Sequence, residues 1–220
     1  MPQRIDTKKI TAVGMLCAFA YVAVLLIRIP LMVPFLKYEP KDVIIALGGF
    51  IWGPLVSLIT AVIVALIEMF TISDTGLWGL LMNVISSCAF ACTAAAIYKK
   101  KRTIVGALIG LVTACIVMTG VMLVWNYLIT PIYMDAPREQ VAGMLIPVFM
   151  PFNIIKAGLN AGITFFLYKP VITALRKARL VPSSGQTATG SKGSKIGVYI
   201  LFGIITVTCV LFILSYNKVI

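Results

Sequence analysis

Long apolar stretches alternate with short basic ones along this chain, and that alternation constrains its fold more than any other feature. Six stretches, at 10–27, 43–67, 77–98, 103–130, 147–168 and 196–216, approach or exceed the roughly 20 apolar residues that a bilayer-crossing helix needs. Lipid offers no partner for backbone N–H and C=O groups, and helices satisfy those groups within each segment. The pattern therefore predicts an all-α membrane protein. Composition agrees: 60% of residues are hydrophobic, 12% are charged and mean hydropathy is +1.04. The N-terminal segment lacks a short apolar run with a small-residue cleavage site, so it reads as a first helix and not as a removed signal peptide.

A formal net charge of +12 raises the question of nucleic acid, but the positions of the charges answer it. Arg4, Lys8 and Lys9, then Lys99, Lys100, Lys101 and Arg102, then Lys169, Arg176, Lys177 and Arg179 sit beside helix ends, as cytoplasmic loops do. If each apolar stretch crossed once from a cytoplasmic N-terminus, the second and third of these clusters would both lie outside. One more crossing between Asp42 and Asp74 returns both to the cytoplasm. The sequence Trp52-Gly53-Pro54 supplies the break, because Gly ends helices and Pro suits the first turn of the next. The stretch is thus expected to split into helices at 42–52 and 54–70. The shorter one rises only about 16 Å, well under a hydrocarbon core. It is either buried within the bundle or turns below the membrane surface.

With that split, residues 1–180 form a six-helix membrane domain with a cytoplasmic N-terminus. The segments 28–41, 68–76 and 131–140 lie outside. Thirteen of the nineteen basic residues fall on the cytoplasmic side, and six of the seven acids on the other half. Residues 181–195 form a polar, flexible linker. The final apolar run, within 196–220, is a seventh transmembrane helix, read as an accessory anchor.

Lys156 stands inside the nearly uninterrupted apolar run from Pro147 to Leu167, with Asn153 three residues before it and Asn160 four after. An ammonium in a membrane segment is costly and is by default a sign of function. At about 100° per residue the three side chains fall within roughly 60° of arc. Phe149 and Thr164 extend the same stripe. One reading is the wall of a pocket for a polar, hydrogen-bonding small molecule. The other is a lysine that snorkels along its helix to the interface.

Further polar residues lie near the same end. Asn126, in Trp125-Asn126-Tyr127, is an amide near the outer end of the fifth helix and a candidate to join the sixth-helix amides around one ligand. Trp125 and Tyr133 fit an aromatic belt. Asn83 either bonds a neighbouring helix or joins the site. The loop at 28–41 contains three prolines, aromatics and charges, and is either a lid over a pocket or an interfacial connector. Asp42 is placed to cap the helix that follows. On the first helix Gly14 and Ala18 form a small-xxx-small pair, for internal packing or for docking of a separate membrane subunit.

Nothing here resembles an enzyme. The chain has no histidine, no CxxC and no phosphate-binding loop, and its five cysteines (Cys17, Cys88, Cys92, Cys115 and Cys209) all lie in apolar segments. Disulfides and Cys/His metal sites are not expected. A self-sufficient secondary carrier with Lys156 as a titrating group is conceivable, but the chain is small and shows no internal repeat.

Residues 8–180 resemble the substrate-binding S components of energy-coupling-factor (ECF) vitamin transporters, most of all the riboflavin-specific ones. The resemblance rests on the small-residue first helix and on Tyr38-Glu-Pro-Lys-Asp leading into Leu47-Gly-Gly-Phe-Ile-Trp-Gly-Pro. It rests also on Gly79-Leu-Leu-Met-Asn, on Trp125-Asn-Tyr followed by Pro131, and on Pro151-Phe-Asn-Ile-Ile-Lys-Ala-Gly-Leu-Asn. It implies a plasma-membrane protein with six bundled helices that takes up riboflavin, or another water-soluble vitamin, near the outer face beneath the first external loop. Asn126, Asn153 and Lys156 would then meet ribityl hydroxyls and ring heteroatoms, and Glu39 would supply the loop contact. Gly14 and Ala18 would contact a transmembrane T component, with two ATPase subunits providing the energy. Gly14 stands where the family more often has alanine, and the seventh helix departs from the family's six.

Overall fold

The structure, a computed structural model, describes residues 7–177, Gly203 and residues 206–211. The linker 181–195 and most of the seventh apolar run lie outside the described residues. In chain order the elements are α1 (Thr7–Leu26), β1 (Ile29–Leu31), β2 (Val33–Tyr38), α2 (Lys41–Trp52), α3 (Pro54–Thr71), α4 (Gly76–Ser87), α5 (Thr93–Lys101), α6 (Ile104–Leu128), α7 (Thr130–Met134), α8 (Arg138–Met144) and α9 (Met150–Lys177). Single wide turns at Cys88–Cys92 and Leu145–Phe149 join α4 to α5 and α8 to α9. Among the described residues before Gly203 the chain therefore makes six helical passes. Four of them are long and apolar enough to cross a membrane, and α1 adds a shorter apolar helix.

The break at Trp52-Gly53-Pro54 is present. Gly53 has φ 99°, a conformation that L side chains rarely adopt, and Pro54 begins α3. The short α2 is not a lipid-facing span: nine of its twelve residues are buried, from Lys41 through Phe50. Of the two readings of its length, burial within the bundle is the one observed. The neighbours of Gly53 also support the parity of the loops. Lys99 Cδ would lie 3.9 Å from a Cβ at that position, so the 52–54 turn and the basic 99–102 segment share one end of the bundle. The opposite end collects 28–40, 72–75 and 129–137.

The loop at 28–41 is an antiparallel hairpin in an otherwise helical protein. Ile29 pairs with Tyr38 and Pro30 with Lys37, with an irregularity between Pro30 and Leu31. Every strand in a two-stranded ribbon is an edge, so Pro30 and Pro34 cost it few ladder bonds. Leu31, Leu36 and Tyr38 are buried in a cluster with Val141, Phe149, Phe152, Ile155 and Leu159, which lays the hairpin across the end of α9. The main core lies between α1, α2, α5, α6 and α9 and is rich in alanine, with Ala46, Ala94, Ala107, Ala114 and Ala157 fully buried. Small side chains let the backbones approach closely where no hydrophobic drive separates helix from lipid.

Candidate ligand-binding site

The helix that carries Lys156 begins before the apolar run does and continues through Pro147. Pro147 has no N–H and crowds the preceding turn, and the helix widens there instead of ending. The Met150 N–H reaches back to Leu145 O, five residues away, which is the signature of a π-bulge. Asn153 Nδ2 donates to Phe149 O at 2.7 Å, which ties the amide across the same turn. Lys156 is thus a full eighteen residues inside the continuous helix from Arg138. It is 6% exposed and lines a cavity, where its Nζ has no hydrogen-bond or ion-pair partner among the described residues.

That cavity, about 120 Å³, is roofed by the hairpin and walled by α3, α4, α6, α7 and α9. Glu39, Asn83, Asn126, Asn153 and Lys156 all line it. Asn126 is braced by its own helix: Nδ2 donates to Met122 O at 2.7 Å, and Thr130 Oγ1 donates to Asn126 Oδ1 at 2.9 Å. Asn83 Nδ2 donates to Glu68 Oε2 at 2.9 Å, so it bonds a neighbouring helix and faces the cavity at once. Phe35, Trp78, Phe152 and Tyr133 supply apolar and aromatic surface. Tyr133 is therefore half-buried at the cavity, and Trp125 packs against the main core; neither acts simply as a belt residue.

Arg28, Lys37, Glu39, Glu68 and Asp74 of the cavity lining belong, with Lys41 behind them, to an ionic cluster that the sequence pattern did not single out. Lys41, 1% exposed, pairs with Glu39 Oε2 at 2.9 Å and with Glu68 Oε2. Arg28 Nε meets Glu39 Oε1 at 3.2 Å, and its Nη1 donates to Ile72 O at 3.0 Å. Lys37 reaches Asp74 at 3.0 Å across the mouth. Burial works against ionisation of Glu39, but Lys41, Lys156 and Arg28 outweigh it and hold this carboxyl below its ordinary range. The hairpin is thereby bound by charge to α2, α3 and the loop after α3.

Two sequence expectations change here. Asp42 does not cap α2, whose N-terminus carries no side-chain cap. Its carboxylate turns into the bundle, where Ser87 Oγ and Asn160 Nδ2 donate to it, the latter at 3.2 Å. Glu68 is not a loop residue either; it lies within α3 and is 2% exposed. A lone acid near the end of an apolar run, facing a lysine at the start of another, was the available signal.

Asn160 lies outside the cavity lining. Tyr38 Oη donates to its Oδ1 at 3.1 Å, so its amide links the hairpin to Asp42. Gly14 and Ala18 are both exposed on the outer face of α1, and none of the described residues stands within 4 Å of where a Gly14 side chain would begin. Beside them runs an apolar groove of about 700 Å³ formed by α1, α2 and α9, with Met15, Phe19, Val22, Ile51 and Leu167 among its walls. Among the described residues, neither member of that pair packs internally. No group of three or more metal-ligating side chains occurs among the described residues.

Residues 8–168 match the family model described as "ECF transporter, substrate-specific component". The chain is 31% identical over 180 residues to "Riboflavin transporter RibU" of Staphylococcus aureus (strain TCH60), an alignment that covers 78% of this chain and 94% of that protein. It also superposes on a solved structure described as "Structure and mechanism of the S component of a bacterial ECF transporter". The TM-score is 0.66 and the identity 31%, with 78% of this chain and 99% of that chain covered.

Proposed function

We propose, from the premise that this chain belongs to the ECF transporter substrate-specific components, a transport family and not an enzyme family, that its hairpin-roofed cavity binds riboflavin. The observation that carries this reading is the meeting of Asn126, Asn153 and Lys156 at one cavity, beside aromatic surface. The Asn153 and Asn126 amides are pre-oriented by their own helices, and the Lys156 ammonium is buried near the Glu39 charge with no hydrogen-bond acceptor among the described residues. A neutral ligand with hydroxyls and carbonyl-type acceptors fits such a wall: it meets the ammonium without bringing a second uncompensated charge into the site. The cavity is smaller than the roughly 300–1,000 Å³ of common ligand pockets, so a flavin enters with a shift of the hairpin.

The basic end of the bundle faces the cytoplasm in this reading, because Lys99, Lys100, Lys101 and Arg102 follow the positive-inside rule, and the cavity then opens to the extracellular side of the plasma membrane. The exposed Gly14–Ala18 face and the adjoining groove would receive the T component, and two ATPase subunits would drive the cycle. Residues 1–180 form the six-helix domain that contains the vitamin site. The test is a titration of purified protein with riboflavin, read by flavin fluorescence and by the visible spectrum after growth in rich medium. One flavin quenched per chain supports the reading. A colourless protein that leaves flavin fluorescence unchanged rules it out.

The small cavity favours one second reading, an S component for a more compact water-soluble vitamin. Displacement of bound flavin by unlabelled vitamins separates the two.

A further inference from the structure

We propose that the described part of the final apolar run, Gly203 and residues 206–211, is a working part of the binding unit, docked on the back of α9 where it fixes the wall that carries Asn153 and Lys156. This rests on reading the cavity as a ligand site. Gly162 is nine residues from Asn153, which places it about 180° away around the helix. A Cβ on Gly162 would stand 2.1 Å from Thr206 Oγ1 and 3.4 Å from Thr206 Cβ. A Cβ on Gly203 would meet Phe166 Cζ at 3.8 Å. The two helices thus cross where a glycine permits it, in the manner of small-residue contacts within membranes.

The contact continues toward the cavity. Cys209 packs against the cluster that joins Leu31, Leu36 and Tyr38 of the hairpin to Phe152, Ile155 and Leu159 of α9. Phe152 lines the cavity itself. The docked segment therefore braces both the helix that presents Asn153 and Lys156 and the hairpin that roofs them. Its other side, with Val207, Val210 and Leu211, stays exposed, as a lipid-facing surface would. None of its described residues lines the apolar groove beside Gly14 and Ala18. It supports the site without covering the face assigned to the T component.

The test uses the full chain. Gly162→Leu is expected to lift the segment, to speed flavin release at least fivefold in stopped-flow displacement, and to speed alkylation of Cys209 as read by peptide mass spectrometry. Gly162→Ala is the milder variant, in conflict mainly with the Thr206 hydroxyl. Adding Thr206→Ala removes that hydroxyl, and the double variant is expected to return to within about twofold of wild type in both readouts. A merely global loss of packing would not be rescued in this way. Equal flavin release in wild type and Gly162→Leu overturns the inference while leaving the ligand reading intact, whether or not Cys209 becomes more reactive. Failure of the second substitution to rescue also overturns it. A wild-type chain that binds no flavin overturns the ligand reading and this inference together.

Discussion

The hairpin end of the bundle and the outer face of α1 solve opposite problems. At the hairpin end, Arg28, Glu39, Lys41 and Glu68 are drawn out of water and must satisfy one another. Along α1, Met15, Phe19 and Val22 are exposed beside Gly14 and Ala18, with no charge among the groove's walls. The first region must keep its charges paired even as the hairpin shifts, because any lost partner leaves a buried charge. The second is permissive, because its apolar surface is equally at home against lipid or another helix. In the proposed reading, selective capture belongs to the first kind of surface and reversible association to the second.

The largest expected effect tests this difference directly. Lys41→Met leaves Glu39 and Glu68 without their shared cation, and breaking a buried ion pair in this way costs about 3–5 kcal/mol. Phe19→Ala in the groove falls among surface changes of about 0.5 kcal/mol or less. Thermal unfolding in detergent compares the two. Similar midpoints would mean that the cluster is solvated and the contrast is wrong.

Lys156→Ala comes next. Removal of a hydrogen bond from a charged group is expected to weaken flavin binding by about 1–3 kcal/mol and to lower the melting temperature only slightly, since Glu39 loses one nearby charge but keeps its direct partners Lys41 and Arg28. An unchanged dissociation constant in a fluorescence titration removes Lys156 from the site. A large drop in stability would instead make it a structural residue like Lys41.

The site was only partly legible in the sequence, and the residues show why. Lys156, Asn153 and Asn126 were visible because each interrupts an apolar run. Asn83 and Glu39 converge on the same cavity. Asn160 shares the helical stripe, yet it sits where Tyr38 and Asp42 take up its amide. Periodicity gives a face, and depth along that face depends on what the other helices bring. The ionic cluster escaped for a related reason: Lys41 and Asp42 look like solvated helix-start residues and Glu68 like the edge of a loop. Their charges become informative only when α2, α3 and the hairpin are packed together. The hairpin itself was hidden by Pro30, Pro34 and Pro40, which argue against a strand except at an edge. The extra crossing was readable because Gly53 and Pro54 act locally and the charge rule acts on whole loops.

On the permissive side, Gly14→Leu with Ala18→Leu is expected to lower vitamin uptake in whole cells about tenfold, the equivalent of roughly 1.4 kcal/mol. Flavin affinity of the isolated chain should stay within twofold. A parallel loss of both would place these residues in the bundle's own packing, contrary to their exposure.

The smallest effect concerns acid. Glu39 is held below its ordinary range by Lys41, Lys156 and Arg28 against the pull of burial, and Asp74 by the hydrogen bond and charge of Lys37. A carboxyl with a depressed folded-state pKa contributes stability that is complete above its unfolded value, near pH 4, and lost as pH falls through the folded one. The melting temperature should therefore be flat from about pH 8 to 5.5 on account of these two groups and decline below about pH 4. Asp74 is exposed to solvent, which screens its pairing with Lys37, so Asp74→Asn should leave the curve unchanged within scatter, while Glu39→Gln should remove part of the acid decline and lower the plateau. The paired variants assign the acid sensitivity to the buried anchor of the hairpin or to its solvent-exposed latch. If Asp74→Asn shifted the curve and Glu39→Gln did not, the hairpin would be held mainly from its rim, and the contrast between a charged interior and an apolar exterior would lose its physical basis.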